Sequence, residues 1–301
     1  MCFTANTAWS TIQLSYSSKR PNISLETSTD WTTWNDYTIW NTITLSSIWD
    51  KVYWRNKTQT DLWFSASDYS CKFVMTGSIA ASWDINFLLN KNSTRTITAD
   101  YCYSSLFQNC TSLTTAPELP ATTLTGMNCY ASMFNWCTNL TTAPALPATT
   151  LSYSCYQNMF RWCTSLTATP ELPATTLAQS CYASMFRWCT NLKTATTLPA
   201  TTLISSCYMY MFNQCSNLET LPALPATTLA YGVYYQMFSQ CYKIKLSTTQ
   251  TWAYQTPYRI PTTWTWTEAS SWNTNMFYQS WWTFTWAPTI NTTYYTSNTV
   301  V

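Results

Sequence analysis

The stretch MFNWCTNLTTAPALPATTL, residues 133–151, decides the fold because it returns twice along the chain with few changes. The second copy starts at Met159 and the third at Met185, a step of 26 residues each time. Its last six residues, LPATTL, occur five times, and the last occurrence ends at Leu229. Such a regular period is typical of repeat proteins, in which each short unit packs mainly against its neighbours.

Each copy is predicted to contain one short helix and one short strand. In CYASMFRWC, Cys181, Met185 and Cys189 lie four positions apart, which matches one face of a helix. The TNLKTATTLPATTL that follows has Thr and Leu that favour extended backbone, and Pro that excludes a fully paired central strand. Because one copy cannot bury both segments alone, we predict a solenoid of about six coils over residues 98–245.

The predicted core is made of Cys, Phe and Leu at fixed places in each copy. It comprises Cys129, Phe134, Cys137, Leu151, Cys155, Phe160, Cys163, Leu177, Cys181, Phe186, Cys189, Leu203, Cys207, Phe212 and Cys215. Leu124 and Leu229 extend the Leu row, and Phe238 extends the Phe row. A middle coil has two neighbours and an end coil one, so Phe186→Ala is expected to destabilise more than Phe238→Ala.

The thirteen cysteines are interpreted mainly as small buried hydrophobic residues. Within a copy their spacing is Cys-x7-Cys, and CxxC does not occur, so the sequence predicts no zinc site. Disulfides between neighbouring copies stay open as an alternative, as does a bridge between Cys2 and Cys71.

The flanks do not carry the regular repeat. Residues 1–97 contain short alternating segments such as STIQLSY and DKVYWRN, which predict an immunoglobulin-like antiparallel β-sandwich of five to seven strands. Residues 246–301 contain a degenerate copy with Met276 and Phe277 in the usual places, which we interpret as a C-terminal cap. The predicted fold class is therefore β-rich α+β.

Composition excludes several classes of function. Charged residues make up 9 % of the chain and the net charge is +2, so nucleic-acid binding is not expected. No apolar run approaches the roughly 18 residues of a membrane span. Without His the chain lacks the commonest general base and metal ligand, and it carries no Walker loop or GxSxG, so we predict no catalytic, cofactor or metal site. The start lacks a basic segment followed by an apolar one, and we interpret the chain as a fragment.

One family resemblance rests on the repeat itself. A unit with Phe-x-x-Cys, then Thr/Ser-x-Leu-Thr, then Pro and Thr-Leu resembles the leucine-rich repeats of BspA-like bacterial surface proteins, over about residues 98–245. The resemblance implies a curved solenoid on secreted or surface-displayed proteins, often linked to adhesion, and it implies no active site.

The expected function is therefore that of a non-enzymatic recognition or adhesion protein, extracellular or on the cell surface. Its partner would be a protein or glycan bound through the solenoid face, with an oligomeric state that the sequence leaves open. The alternative is a structural protein of a phage virion, in a tail or a receptor-binding part.

Tryptophan and glycine are unusually distributed. Gly numbers 3, where about 7 % of a chain, here roughly 21 residues, is usual, and Trp numbers 18. In three copies Trp occupies a place that Asn109, Gln214 and Gln240 fill elsewhere, and we interpret this place as the left-handed C-cap of the short helix.

We hypothesise that many of these Trp are glycines encoded by UGA, a codon that is read as Trp in some genomes and as Gly in a few bacterial lineages. The positions so interpreted are Trp31, Trp49, Trp83, Trp136, Trp162, Trp188, Trp264, Trp266, Trp281, Trp282 and Trp286. Trp34 and Trp54 lie in strand-like contexts and are interpreted as candidates for true Trp. The rival hypothesis is an exposed set of Trp used for sugar stacking or membrane contact.

Overall fold

The computed structural model describes residues 1–17, 23–58, 71–89, 95–226, 228–259, 263–264, 275–280 and 293–301. Within these ranges the chain forms one four-residue 3-10 helix, Ile85–Leu88, and eighteen short strands. The strands are β1 Cys2–Ala5, β2 Ser10–Tyr16, β3 Leu25–Ser28, β4 Asn35–Tyr37, β5 Ile43–Leu45, β6 Lys51–Asn56, β7 Cys71–Thr76, β8 Ile79–Ser82, β9 Thr96–Ile97, β10 Leu113–Thr115, β11 Thr123–Leu124, β12 Thr220–Leu221, β13 Thr228–Leu229, β14 Leu246–Ser247, β15 Thr256–Arg259, β16 Thr263–Trp264, β17 Thr293–Thr296 and β18 Thr299–Val300.

Two sheets occupy the N-terminal region. One has six strands in the order β10-β8-β1-β6-β3-β4, and the other has three in the order β5-β2-β7. Strand β6 shows why they form, because its residues alternate between buried and more exposed, with Val52 and Trp54 on the buried face. Trp54 packs edge-on against Phe3 and Phe73, with ring centroids 6.3 and 5.3 Å away.

The N-terminal sheets continue into the repeat region. Strand β10, which lies in the first copy, pairs in parallel with β8, and β11 pairs in parallel with β9. The ring of Phe73 stacks on that of Phe107, with centroids 5.3 Å apart. One hydrophobic core therefore runs from the sheets into the copies across the predicted boundary at residue 97.

The predicted helix in each copy is wrong. Residues 128–137 and their counterparts form a run of consecutive tight turns, which we call the turn ribbon, and no α-helix occurs among the described residues. Ser132 and Trp136 have φ of +56° and +66°, and such left-handed residues every fourth position are incompatible with a right-handed helix.

Backbone hydrogen bonds in the turn ribbon alternate between local and distant partners. The Met133 N–H donates to the Tyr130 carbonyl within the same copy, at 3.2 Å. The next N–H, that of Phe134, donates to the Met159 carbonyl of the following copy, at 2.9 Å. Every second amide thus joins two copies, whereas a helix would direct all of them back into its own turn.

The predicted α+β leucine-rich-repeat solenoid is therefore corrected. The described residues are almost entirely strand and turn, distributed over several small sheets, and the central copies are joined by isolated bridges such as Thr123 to Thr150 and Thr176 to Thr202. The spacing of four between Cys, Met and Cys suggested a helix, but the same spacing occurs in the turn ribbon. There the left-handed residues recur every fourth position, so residues four apart share one environment.

Equivalent side chains stack from copy to copy. The Phe ladder runs through Phe73, Phe107, Phe134, Phe160, Phe186, Phe212, Phe238 and Phe277, with neighbouring centroids 5.3–5.7 Å apart. A parallel Tyr ladder runs through Tyr103, Tyr130, Tyr156, Tyr182, Tyr208 and Tyr234. The recurring rings stack each copy on its neighbours.

The C-terminal region adds strands to the last copies. Strand β17 lies between β14 and β15, while β18 pairs in parallel with β12 and β16 with β13. Met276 and Phe277 are fully buried, and Phe277 stacks on Phe238. Phe238 consequently has an aromatic neighbour on both sides, so the expectation that it occupies an end of the ladder is wrong.

Candidate functional site

Almost all of the predicted core residues are buried, as a structural role requires. All the Cys and Phe residues of the predicted set are buried, and so are Leu177 and Leu203, while Leu151 is only partly buried. The end residues Leu124, Leu229 and Phe238 are buried as well.

The cysteines are buried thiols of low reactivity. All thirteen lie among the described residues, and all are buried thiols. Burial raises the pKa of Cys71, Cys110, Cys155 and Cys207 to about 12. At neutral pH these thiols stay protonated, and a protonated thiol is neither a nucleophile nor a metal ligand.

One Cys row has a role that sequence reasoning missed. The Cys163 thiol donates to the Phe134 carbonyl of the preceding copy at 3.1 Å, and the Cys189 thiol donates to the Phe160 carbonyl at 3.0 Å. The same bond recurs at Cys110, Cys137, Cys215 and Cys241. The signal was present in the sequence: this row is Cys in every copy, whereas the other row ends in Val233, which has no donor.

The Tyr ladder was also missed. Its rings are almost completely buried, and burial raises the pKa of Tyr130 and Tyr182 well above its ordinary value. The Tyr103 hydroxyl donates to Asn86 Oδ1 at 2.8 Å, while the hydroxyls of Tyr130 and Tyr182 have no hydrogen-bond partner among the described residues. The regular Tyr one residue after the first Cys was the available signal.

A second aromatic row lies at the surface. The rings of Trp136, Trp162 and Trp188 stack with centroids 4.4 and 4.2 Å apart, and Trp136 is 41 % exposed. We call these three residues the Trp row. Because the faces of neighbouring rings cover one another, the Trp row presents mainly ring edges to solvent.

A groove separates the Pro-rich segments of the first two copies. Its volume is about 360 Å³, and its lining is Ala116, Pro117, Glu118, Leu119, Pro120, Pro144, Ala145 and Pro147. The backbone of Glu118 is anchored, because its N–H donates to the Trp83 carbonyl at 3.0 Å and its carbonyl accepts from Ile85 at 3.1 Å. One exposed carboxylate at the rim of an apolar groove can orient a polar ligand.

Two rows of threonine flank these Pro-rich segments. One contains the exposed Thr142 and Thr194, and the other contains the exposed Thr150, Thr176 and Thr202. Parallel bridges join Thr123 to Thr150 and Thr176 to Thr202, which places each pair about one strand spacing, roughly 4.8 Å, apart. Thr194 is bridged to Ala168, which interrupts the first row. The surface between the copies thus presents hydroxyl and methyl groups at a regular interval.

The Trp positions selected from the sequence fall into three groups. Trp31, Trp49, Trp83, Trp136, Trp162 and Trp188 have φ between +65° and +74°. Trp264 lies in strand β16. Trp266, Trp281, Trp282 and Trp286 lie outside the described residues.

Metal-binding clusters and membrane-spanning helices are both absent from the described ranges. No cluster of three or more His, Cys, Asp or Glu suited to a metal ion occurs there. The same ranges hold no helix with the length and apolar character needed to cross a bilayer.

Comparisons of the chain with protein-family models, with curated proteins and with solved structures return no match.

Proposed function

We propose that this chain is a non-enzymatic recognition protein of the cell surface or extracellular space, and that its stacked copies bind an extended glycan. The observation that carries the proposal is the pair of Thr rows. One offers the exposed hydroxyls of Thr150, Thr176 and Thr202 in three successive copies, and the other offers Thr142 and Thr194 with Ala168 between them. A ligand with repeating polar groups can contact several copies in the same way, and each added contact acts at a high effective concentration.

The chemistry of the rows favours a glycan over a protein partner. Protein interfaces draw most of their binding energy from Trp, Tyr and Arg, while Thr is under-represented among the residues that dominate affinity. Uncharged hydroxyls suit the hydroxyl groups of a sugar, and they suit a chain with only 9 % charged residues. The resemblance to BspA-like surface proteins points the same way, toward adhesion.

The test is binding of the purified chain to an array of polysaccharides and matrix proteins. The variant Thr176→Glu/Thr202→Glu places two charges in one Thr row, at exposed positions that do not carry the core. The control is Thr44→Glu, the same substitution at an exposed position of β5.

We expect the double variant to lose at least about tenfold in glycan affinity, which corresponds to about 1.4 kcal/mol, while the control retains it. Equal binding by all three chains contradicts the assigned surface. Binding to a matrix protein with none to any polysaccharide contradicts the glycan. The alternative role in a phage virion stays a prediction, which portal and tail genes beside the coding gene would support.

A further inference from the structure

We infer that eight residues written as Trp are glycines in the protein as its organism makes it. They are Trp9, Trp31, Trp40, Trp49, Trp83, Trp136, Trp162 and Trp188, and all have φ between +59° and +78°. A bulky residue with positive φ is a genuine outlier, because its Cβ approaches the following carbonyl oxygen, whereas glycine has no Cβ and adopts this backbone readily.

Five of the eight occupy the same place in a four-residue turn. The Asp50 N–H donates to the Ser47 carbonyl at 3.2 Å, which makes Trp49 the third residue of that turn. The bond from Asn41 to Thr38 does the same for Trp40, and the bond from Cys137 to Phe134 does so for Trp136, with Trp162 and Trp188 repeating it. A positive φ at the third residue is the requirement of a type II turn, and Gly or Asn satisfies it.

The remaining three occupy other tight connections. Trp9 lies between β1 and β2, beside a bond from Ser10 Oγ to the Thr7 carbonyl. Trp31 follows Asp30, and its N–H donates to Ser28 Oγ at 2.9 Å. Trp83 follows strand β8 directly. The rings of Trp31 and Trp83 contact each other, with centroids 4.9 Å apart, while Trp9 belongs to a separate connection.

The N-terminal region separates Trp residues with left-handed backbone from those with ordinary backbone most clearly. Among its described residues before residue 98, five residues other than Gly have positive φ, and all five are Trp. Trp34 and Trp54 of the same region have ordinary backbone; Trp54 is fully buried and Trp34 lies under the Arg55 guanidinium at 3.8 Å. Trp54 is thus a core residue on ordinary backbone, whereas six of the eight Trp on left-handed backbone are at least 40 % exposed.

The repeat region contains a glycine at one of its left-handed places, and this glycine can be compared with the residues at equivalent places. Three places in each turn ribbon are left-handed, and at the first of them the copies carry Tyr101, Asn128, Ser154, Ser180, Ser206 and Gly232. Gly232 has φ of +63°, the same backbone as its counterparts. The chain thus uses a true glycine at one such place, and the Trp row lies at another.

The rival explanation is that the Trp row is a genuine binding platform. Stacking of its three rings is favourable, but it concerns only the Trp row and gives no reason for the other five positions. Trp9 and Trp49 are more than 70 % exposed and lie on left-handed backbone in separate loops. One cause, a glycine codon read as Trp, accounts for all eight and for part of the deficit of glycine.

The direct test is peptide sequencing by mass spectrometry of the protein purified from its own organism, together with the codons of the gene. We expect Gly and UGA at most of the eight positions, and Trp and UGG at the control positions Trp34 and Trp54. Trp or UGG at half or more of the eight overturns the inference.

A second measurement separates the inference from any effect of expression host. The chain with all eight positions changed to Gly is compared with the chain as written, by thermal unfolding of the full-length protein. We expect the glycine chain to have the higher melting temperature, whereas the further change Trp54→Gly lowers it. A lower melting temperature for the eight-glycine chain overturns the inference, and neither outcome depends on the proposed glycan.

Discussion

The two halves of this molecule obtain a unique register in different ways. In the N-terminal sheets each antiparallel pair is unlike the others, and alternating burial along strands such as β6 decides which face points inward. In the copies every slot is filled by nearly the same residue, so a shift by one copy would preserve most contacts.

The copies resist such slippage at their ends. The first copy is joined to β8 through β10, and the last copies pair with β16 and β18, and these end strands differ from anything in between. Because the copies are alike, their contacts alone would allow a shift by one copy. The two ends differ from the copies and therefore fix the register, as capping repeats do in other repeat proteins. The predictions below test this contrast between the regions.

The largest expected effect is alkaline unfolding of the stacked copies. The thiols of Cys110, Cys155 and Cys207 have an ordinary pKa of 9.0, and burial raises it to about 12. A raised pKa means that the folded state holds the proton more tightly, so its contribution to stability is complete below pH 9 and is lost as the pH rises toward 12. Circular dichroism should show cooperative unfolding in that window, and thiolate absorbance should rise with it. Thiolate formation without unfolding would contradict the buried Cys rows.

Truncation within the Phe ladder should have the next largest effect. Phe186 stacks on Phe160 and Phe212, and Phe238 stacks on Phe212 and Phe277, so both have two neighbours. Phe186→Ala and Phe238→Ala should each cost about 3–5 kcal/mol in the free energy of unfolding. Urea denaturation measures both. A much milder effect of Phe238→Ala would show that Phe277 does not extend the ladder.

Loss of a thiol donor should have a smaller effect. Cys189→Val keeps an apolar side chain of similar size but removes the bond to the Phe160 carbonyl, which should cost about 1 kcal/mol. Cys189→Ser retains a donor and is the matched control for that bond. If valine proved as stable as the original cysteine, the thiol would serve only as filler, as the sequence alone had indicated.

The smallest effect is expected from glycine at the left-handed turns. Trp49→Gly tests the N-terminal sheets and Trp136→Gly tests the copies, and each should change the free energy of unfolding by no more than about 1 kcal/mol, toward stability. Trp54→Gly is the matched control and should destabilise by at least about 3–5 kcal/mol, because its ring is fully buried. A loss at Trp136 comparable with that at Trp54 would mean that the Trp row carries part of the fold.

Part of the site could be read from residue types alone. Asn109, Gln214 and Gln240 at the place of the Trp row indicated left-handed backbone, and their φ values are between +61° and +65°. Trp9 and Trp40 escaped notice because TAWS and TIWN carry no Asp beside the Trp, and their turns are closed by contacts that the local sequence does not reveal. The Pro-lined groove likewise needed two copies to be placed side by side.

The sequence by itself determined the step of 26 residues and the buried Phe and Cys rows, because identical residues at identical spacing take identical places when units stack. Only the tertiary structure decided that the segment between the two Cys is a turn ribbon. Spacing of four suits a helix and a turn ribbon equally, and the choice depends on where the backbone amides find carbonyls. Here every second amide finds one in the neighbouring copy, and a single copy considered alone cannot reveal that partner.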